Sequence, residues 1–215
     1  MIYLKEILGD LSQIMNEPSE IATFYNSRVK KYGYSAEAVG WRSTAQQQLR
    51  FKMLTDGLDF SGSSVLDLGC GFGDLYDFLK KEGMNPKSYT GIDISSEMCE
   101  AASKIYRNTS NIFFRNEELL SMTHEKYDYV IASGSLNYNL GVNMEEYLQN
   151  FIELYSTIAT KGLLFNLLSD KVDYTQKQHI HYSVDATRQL ITLNFPKYRI
   201  LQDYGLYEFT IQGLK

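Results

Sequence analysis

The chain has 215 residues, 44% hydrophobic and 22% charged, enough apolar material for one packed domain with an extension and too short for a multidomain machine. A net charge of −5 disfavours a partner as anionic as nucleic acid. No apolar run approaches the roughly 18 residues of a membrane span, and Met1 to Gln13 lacks a charged segment followed by an apolar one, so the expected compartment is cytoplasmic.

In chain order, Leu4, Ile7, Leu8, Leu11, Ile14 and Met15 recur at helical spacing and stop before Pro18. A second helix is expected over Ser19 to Lys31, ahead of Gly33, and a third over Ser43 to Asp56, ahead of Gly57, with Tyr34 to Trp41 as a loop between them. From Ser63 onward, short apolar strands alternate with helical stretches, the pattern of βαβ units. Strands are expected at Ser63–Leu68, Ser88–Asp93, Asn111–Arg115, Tyr127–Ser133 and Gly162–Leu168. The intervening helices are expected at Asp74–Glu82, Ser96–Arg107 and Met144–Thr157. After a last helix, Val184–Asn194, two strands at Tyr198–Asp203 and Leu206–Gln212 flank only Tyr204 and Gly205. So short a link permits only an antiparallel hairpin. These boundaries divide the chain into a helical cap, 1–57, and an α/β domain, 58–215.

The stretch Val65-Leu66-Asp67-Leu68-Gly69-Cys70-Gly71-Phe72-Gly73-Asp74 runs a buried strand into three alternating glycines and a helix. Glycine is needed where the chain turns tightly and its backbone meets a ligand. The position at which a dinucleotide fingerprint would place its third glycine is Asp74, which argues against a pyrophosphate on that helix start. Asp67 is an acid inside an apolar strand, costly without a partner and suited to a cationic ligand. Gly91-Ile92-Asp93-Ile94 ends the next strand with an acid 24 residues after Gly69, near the ~20 at which carboxylates bind ribose hydroxyls.

These residues resemble the class I S-adenosylmethionine-dependent methyltransferases, whose glycine motif is matched by VLDLGCGFG and whose acidic motif by YTGIDIS. The resemblance implies a doubly wound, seven-stranded, mostly parallel sheet with an antiparallel C-terminal hairpin under an N-terminal helical cap. It implies S-adenosyl-L-methionine as cofactor and methyl transfer to a small-molecule acceptor, by N-, O- or C-methylation. Carried over by position, Gly69 and Gly71 approach the methionine portion and Asp93 holds the ribose. Ile94 and Met98 lie on the adenine face, Glu117 or Glu118 accepts from the adenine amino group, and Ser133 and Leu136 stand beside the sulfonium. Asp67, Cys70 and Asp74 complete the loop's cofactor set, with the Cys70 thiol read as a space-filler. Trp41 with Tyr25 or Tyr32 would close over the transfer site, and Arg50 would meet the cofactor carboxylate.

Candidate bases are few. His179, His181 and Tyr182 follow the fifth strand, where this family places substrate-facing segments, and His124 reads as solvated. No metal site is indicated, since two histidines at i, i+2 need further ligands and Cys70 and Cys99 lack metal spacing. Residues 21–52 carry six cations against Glu37 alone, so the basic, Tyr-rich cap suits an anionic or aromatic acceptor. No Asp/Asn-Pro-Pro-aromatic tetrapeptide follows the fourth strand, which argues against base methylation of nucleic acid. The alternatives are an RNA or protein methyltransferase and a non-catalytic nucleotide-binding module, and the expected state is a monomer or homodimer.

Overall fold

The computed structural model describes residues 18–120, 125–172 and 178–215. The Leu4 to Met15 stripe and His124 lie outside the described residues. The elements run α1 (Pro18–Tyr32), α2 (Thr44–Thr55), β1 (Ser64–Leu68), α3 (Asp74–Lys81), β2 (Ser88–Asp93), α4 (Ser96–Ile105) and β3 (Ile112–Asn116), then β4 (Tyr127–Ala132), α5 (Met144–Ile158), β5 (Ala159–Leu168), α6 (Val184–Asn194), β6 (Lys197–Leu201) and β7 (Glu208–Leu214). The strands form one sheet in the order β3-β2-β1-β4-β5-β7-β6. β1 pairs in parallel with both β2 and β4, and β7 pairs antiparallel with both β5 and β6.

Burial on both faces explains why the central strands read as continuous apolar runs instead of alternating ones. On one face, Phe51 and Leu54 of α2 and Leu75, Phe78 and Leu79 of α3 pack on Val65, Tyr89 and Ile131. On the other, Leu148, Phe151, Ile152 and Tyr155 of α5 and Ile191 of α6 pack on Leu66, Val130, Leu163 and Phe209. The caps are chemical as well as positional: Ser43, Ser95, Asn143 and Ser183 each accept a hydrogen bond from a first-turn amide of the helix they open. Among the described residues, no helix is long and apolar enough to cross a membrane.

Most boundaries shift by one or two residues, and two differences have a structural reason. β5 begins at Ala159, not Gly162, because Ala159 both closes α5 and opens the strand, leaving no turn to mark the change. The β6–β7 link is residues 202–207 and not Tyr204-Gly205 alone. Positive φ at Asp203 (60°) and Gly205 (81°) bends the chain out of strand geometry before Glu208. The antiparallel pairing itself is as expected.

Candidate active site

The strand order reverses at β1, whose two neighbours, β2 and β4, lead outward in opposite directions, so a crevice opens at the carboxyl ends of β1 and β4. A cavity of about 530 Å³ occupies this place. Gly69, Gly71, Asp93, Ile94, Met98 and Ser133 line it on the sheet side, and Tyr25, Trp41 and Arg50 on the cap side.

The glycine loop is built by hydrogen bonds to β2. The amides of Gly69 and Cys70 donate to the Ile92 carbonyl at 2.8 and 3.0 Å, and the Gly71 amide donates to Asp93 Oδ2 at 2.8 Å. The two loop glycines that line the cavity have positive φ, and a Cβ would strike Ser135 Cβ at Gly69 (2.6 Å) and Val39 Cγ1 at Gly71 (2.7 Å). The loop is therefore a close-approach surface that only glycine forms.

Asp93 ends β2 with Oδ2 on the Gly71 amide and Oδ1 on the Ser95 amide, the latter at 2.8 Å. Burial pushes its pKa up, and the backbone donors pull against that. Asn116 Nδ2 donates to the carbonyls of Asp93 (3.0 Å) and Ile94 (2.9 Å), fixing the strand end, and Ser95 Oγ bonds Asn26 of α1 at 2.6 Å. Glu117 and Glu118 both line the cavity, Glu117 half-buried and Glu118 exposed.

Past β4, Ser133 and Ser135 line the cavity, and their buried hydroxyls have no hydrogen-bond partner among the described residues. Buried hydroxyls ordinarily find partners, so two orphans in one cavity-lining segment are unusual. Opposite them, the 137–139 segment pairs with 178–180: Ile180 N donates to Asn137 O (3.0 Å) and Asn139 N to Gln178 O (2.9 Å). That pairing brings both His179 and His181 to the cavity wall. Burial, and then the neighbouring His181, hold the His179 pKa below its ordinary 6.5, so its imidazole is neutral at pH 7.

Several expected site residues stand elsewhere. Tyr182 is buried in the α5–α6 core and donates its hydroxyl to the Leu136 carbonyl at 2.7 Å, so it faces no substrate. Leu136 is packed in that same core and not beside the cavity. Cys70 lies under the loop, where its Sγ would be 2.7 Å from a Cβ on Gly91. It packs the strand and does not face the cavity. Asp74 is turned to the cap, accepting from Tyr34 Oη (2.7 Å) and Gln47 Nε2 (2.9 Å), and clamps the 34–47 segment to α3. Tyr32 is exposed beside Lys31 and away from the cavity. Arg50, by contrast, does line the cavity, and its guanidinium makes a bidentate pair with Glu208, with Nε at 2.9 Å from Oε2.

Asp67 lies beneath the glycine loop instead of lining the cavity. Its carboxyl accepts a hydrogen bond from Tyr89, and burial pushes its pKa up to about 7. A folded-state value above the ordinary 3.8 means this group favours the fold fully below about pH 4, and that contribution is lost as pH rises through 7. Asp67→Asn, which keeps an oxygen for Tyr89 and removes the charge, is expected to stabilise the chain at pH 8 by roughly 2 kcal/mol, about 4–8 °C in Tm. The gain should shrink towards pH 5; thermal melts across pH check this, and a constant difference would contradict it.

Tyr138 and Tyr147 line the cavity without having been expected there, as do Gln178 and Glu208. Asn166, which carries part of the site's polar network, was also missed. Asn166 and Glu208 are polar residues in buried strands, the same signal that singled out Asp67. Tyr147 carries no such mark, because in sequence it belongs to the apolar stripe of α5.

Comparison with known proteins agrees with this geometry. The family description "Methyltransferase domain" matches residues 65–158. The chain is 33% identical over 154 residues to "Putative methyltransferase Rv1506c" of Mycobacterium tuberculosis, covering 69% of this chain and 90% of that protein. It is 30% identical over 181 residues to "Putative methyltransferase GWCH70_2453" of Geobacillus sp., covering 81% of this chain and 67% of that protein. In fold it is similar to magnesium protoporphyrin IX methyltransferase of Synechocystis with bound S-adenosylhomocysteine, at a TM-score of 0.67, 17% identity, 93% of this chain and 100% of that one. With these relatives, and with a glycine loop at the switch point of a seven-stranded sheet, the chain belongs to the class I S-adenosylmethionine-dependent methyltransferase family and is an enzyme of that kind.

Proposed function

We propose that this enzyme methylates a small molecule with an aromatic or apolar body, held between the cap residues 21–50 that line the cavity and the strand ends. The carrying observation is one cavity of about 530 Å³ lined both by Asp93, Ser133 and Ser135 and by the aromatic side chains of Tyr25, Trp41, Tyr138 and Tyr147. A chamber of that size is in the usual range for small-molecule sites. Of the three cap arginines that line the cavity, Arg50 is paired with Glu208 and Arg28 donates to the carbonyls of Glu37 and Ala38, so the aromatic wall and the exposed Arg42 are what the cap offers the acceptor.

In this reading Gly69 and Gly71 take the methionine portion, Asp93 the ribose hydroxyls, Ile94 and Met98 the adenine face, and Glu117 the adenine amino group. Ser133 and Ser135 point at the reacting end. The bound cofactor supplies an already activated methyl on a positive sulfur. The chain's contribution is alignment and exclusion of water by Trp41, Tyr25 and the paired 137–139 and 178–180 segments. His179 or His181 takes a proton from the acceptor atom where that atom carries one.

Calorimetry with S-adenosylmethionine, followed by a search for S-adenosylhomocysteine release across metabolite pools, tests the proposal. Turnover is expected on a small-molecule pool. Binding with no turnover on any such pool, or turnover on RNA or protein alone, would overturn it. With an acceptor in hand, the double variant H179A/H181A is expected to lower kcat/KM at least tenfold where the acceptor atom carries a proton, and unchanged turnover would leave alignment alone as the chemistry.

A further inference from the structure

A closed ring of contacts joins five separate segments at the cavity. The Gly134 amide, just past β4, donates to Asn166 Oδ1 of β5 at 2.9 Å, and Asn166 Nδ2 donates to Glu208 Oε2 of β7 at 2.6 Å. Glu208 takes the fork of Arg50 from α2, and the Arg50 guanidinium lies 4.0 Å from the centroid of the Trp41 ring. The ring closes where Trp41 returns to Gly134: a Cβ on that glycine would stand 2.3 Å from Trp41 Cη2.

The ion pair at its centre is almost wholly buried, with side-chain exposures of 7% and 2%. Such a pair adds little net stability, because desolvation offsets the Coulomb gain; where it is retained, a positional role is the alternative account. Apart from the bond from Arg50 Nη1 to the Gln46 carbonyl of its own helix, at 3.1 Å, the pair's contacts named above point to position. Asn166 fixes the Glu208 carboxylate, Glu208 fixes the plane of the guanidinium, and the guanidinium presents its flat face to the indole. Gly134 lies between Ser133 and Ser135, so the indole is set against the stretch that carries both orphan hydroxyls.

We propose that Arg50, Glu208 and Asn166 are positioning residues that hold the Trp41 indole as a fixed wall of the methyl-transfer chamber, so that the cap and the ends of β4, β5 and β7 meet at one set distance. This rests on the assignment of the cavity to S-adenosylmethionine.

Trp41 is the only tryptophan in the chain, so its fluorescence reports this wall directly. The test compares the native protein with Glu208→Gln and with the double variant R50M/E208L, which replaces the ion pair by apolar side chains and is expected to fold, as checked by circular dichroism. S-adenosylhomocysteine is the probe, followed by calorimetry and by Trp41 emission, with acrylamide quenching measured alongside. In the native protein, heat and a change in emission are expected together. In R50M/E208L, affinity should stay within about fivefold while quenching rises about twofold or more, with Glu208→Gln between the two.

Heat without any emission change in the native protein would overturn the wall and leave the cofactor assignment standing; no heat at all would overturn both. Unchanged quenching in the folded double variant would also refute the positioning role. If affinity then fell tenfold or more, Arg50 would be a cofactor contact instead.

Discussion

Gly71→Val is expected to abolish measurable binding of S-adenosylmethionine and S-adenosylhomocysteine in calorimetry. Two effects combine. At φ +55° a β-branched residue is strained by about 1–2 kcal/mol, and its first side-chain atom would lie 2.7 Å from Val39 Cγ1, before either methyl branch is placed. The branches must then enter the cavity or displace the cap segment that closes it, and the Gly71 amide is drawn away from Asp93. Gly83→Ala separates strain from crowding, because φ there is +80° but a Cβ would meet nothing within 4 Å. That control should bind normally at some cost in stability. Normal binding by Gly71→Val would dismiss the loop as the donor cradle.

Asp93→Ala should weaken cofactor binding by about 1.5–3 kcal/mol, roughly 10- to 150-fold, the scale of hydrogen bonds to a charged group. The loss has a ligand part and a scaffold part. Removing the carboxylate leaves the buried amides of Gly71 and Ser95 without their acceptor, so the loop and the start of α4 lose their shared anchor. Asp93→Asn, which keeps one acceptor oxygen, should fall between Ala and the native residue. The raised pKa adds a pH test: ribose hydroxyls favour the ionised carboxylate, so native affinity should increase as pH climbs through the free-state value, and this slope should vanish in Asp93→Ala. Unchanged affinity in Asp93→Ala would refute the ribose assignment.

The sheet and its direction were legible in sequence because short strands alternate with helical stretches: SVLDL runs through the glycines into α3, and SYTGID runs to Ser95, which caps α4. The cavity-lining glycines and Asp93 were equally legible, since backbone conformation and strand-end position are local properties. Less legible were the roles of polar side chains whose partners lie far along the chain. Arg50 and Glu208 are 158 residues apart, and Asp74 and Tyr34 are 40 apart. Nothing near either residue announces that its charge or carboxyl is already engaged.

What the sequence determined by itself was therefore the order of strands and helices, the loop that only glycine can form and the acid set beyond it, all consequences of periodicity and backbone sterics over short spans. Tertiary structure alone decided which way each candidate side chain turned. Tyr182, Leu136 and Cys70 went to the core, Asp67 beneath the loop and Asp74 to the cap, while His179, Tyr147 and Trp41 came to the cavity wall. The reason is physical: a local segment specifies its own dihedrals and periodicity, but a side chain's partner is chosen by whichever distant strand or helix the fold packs against it.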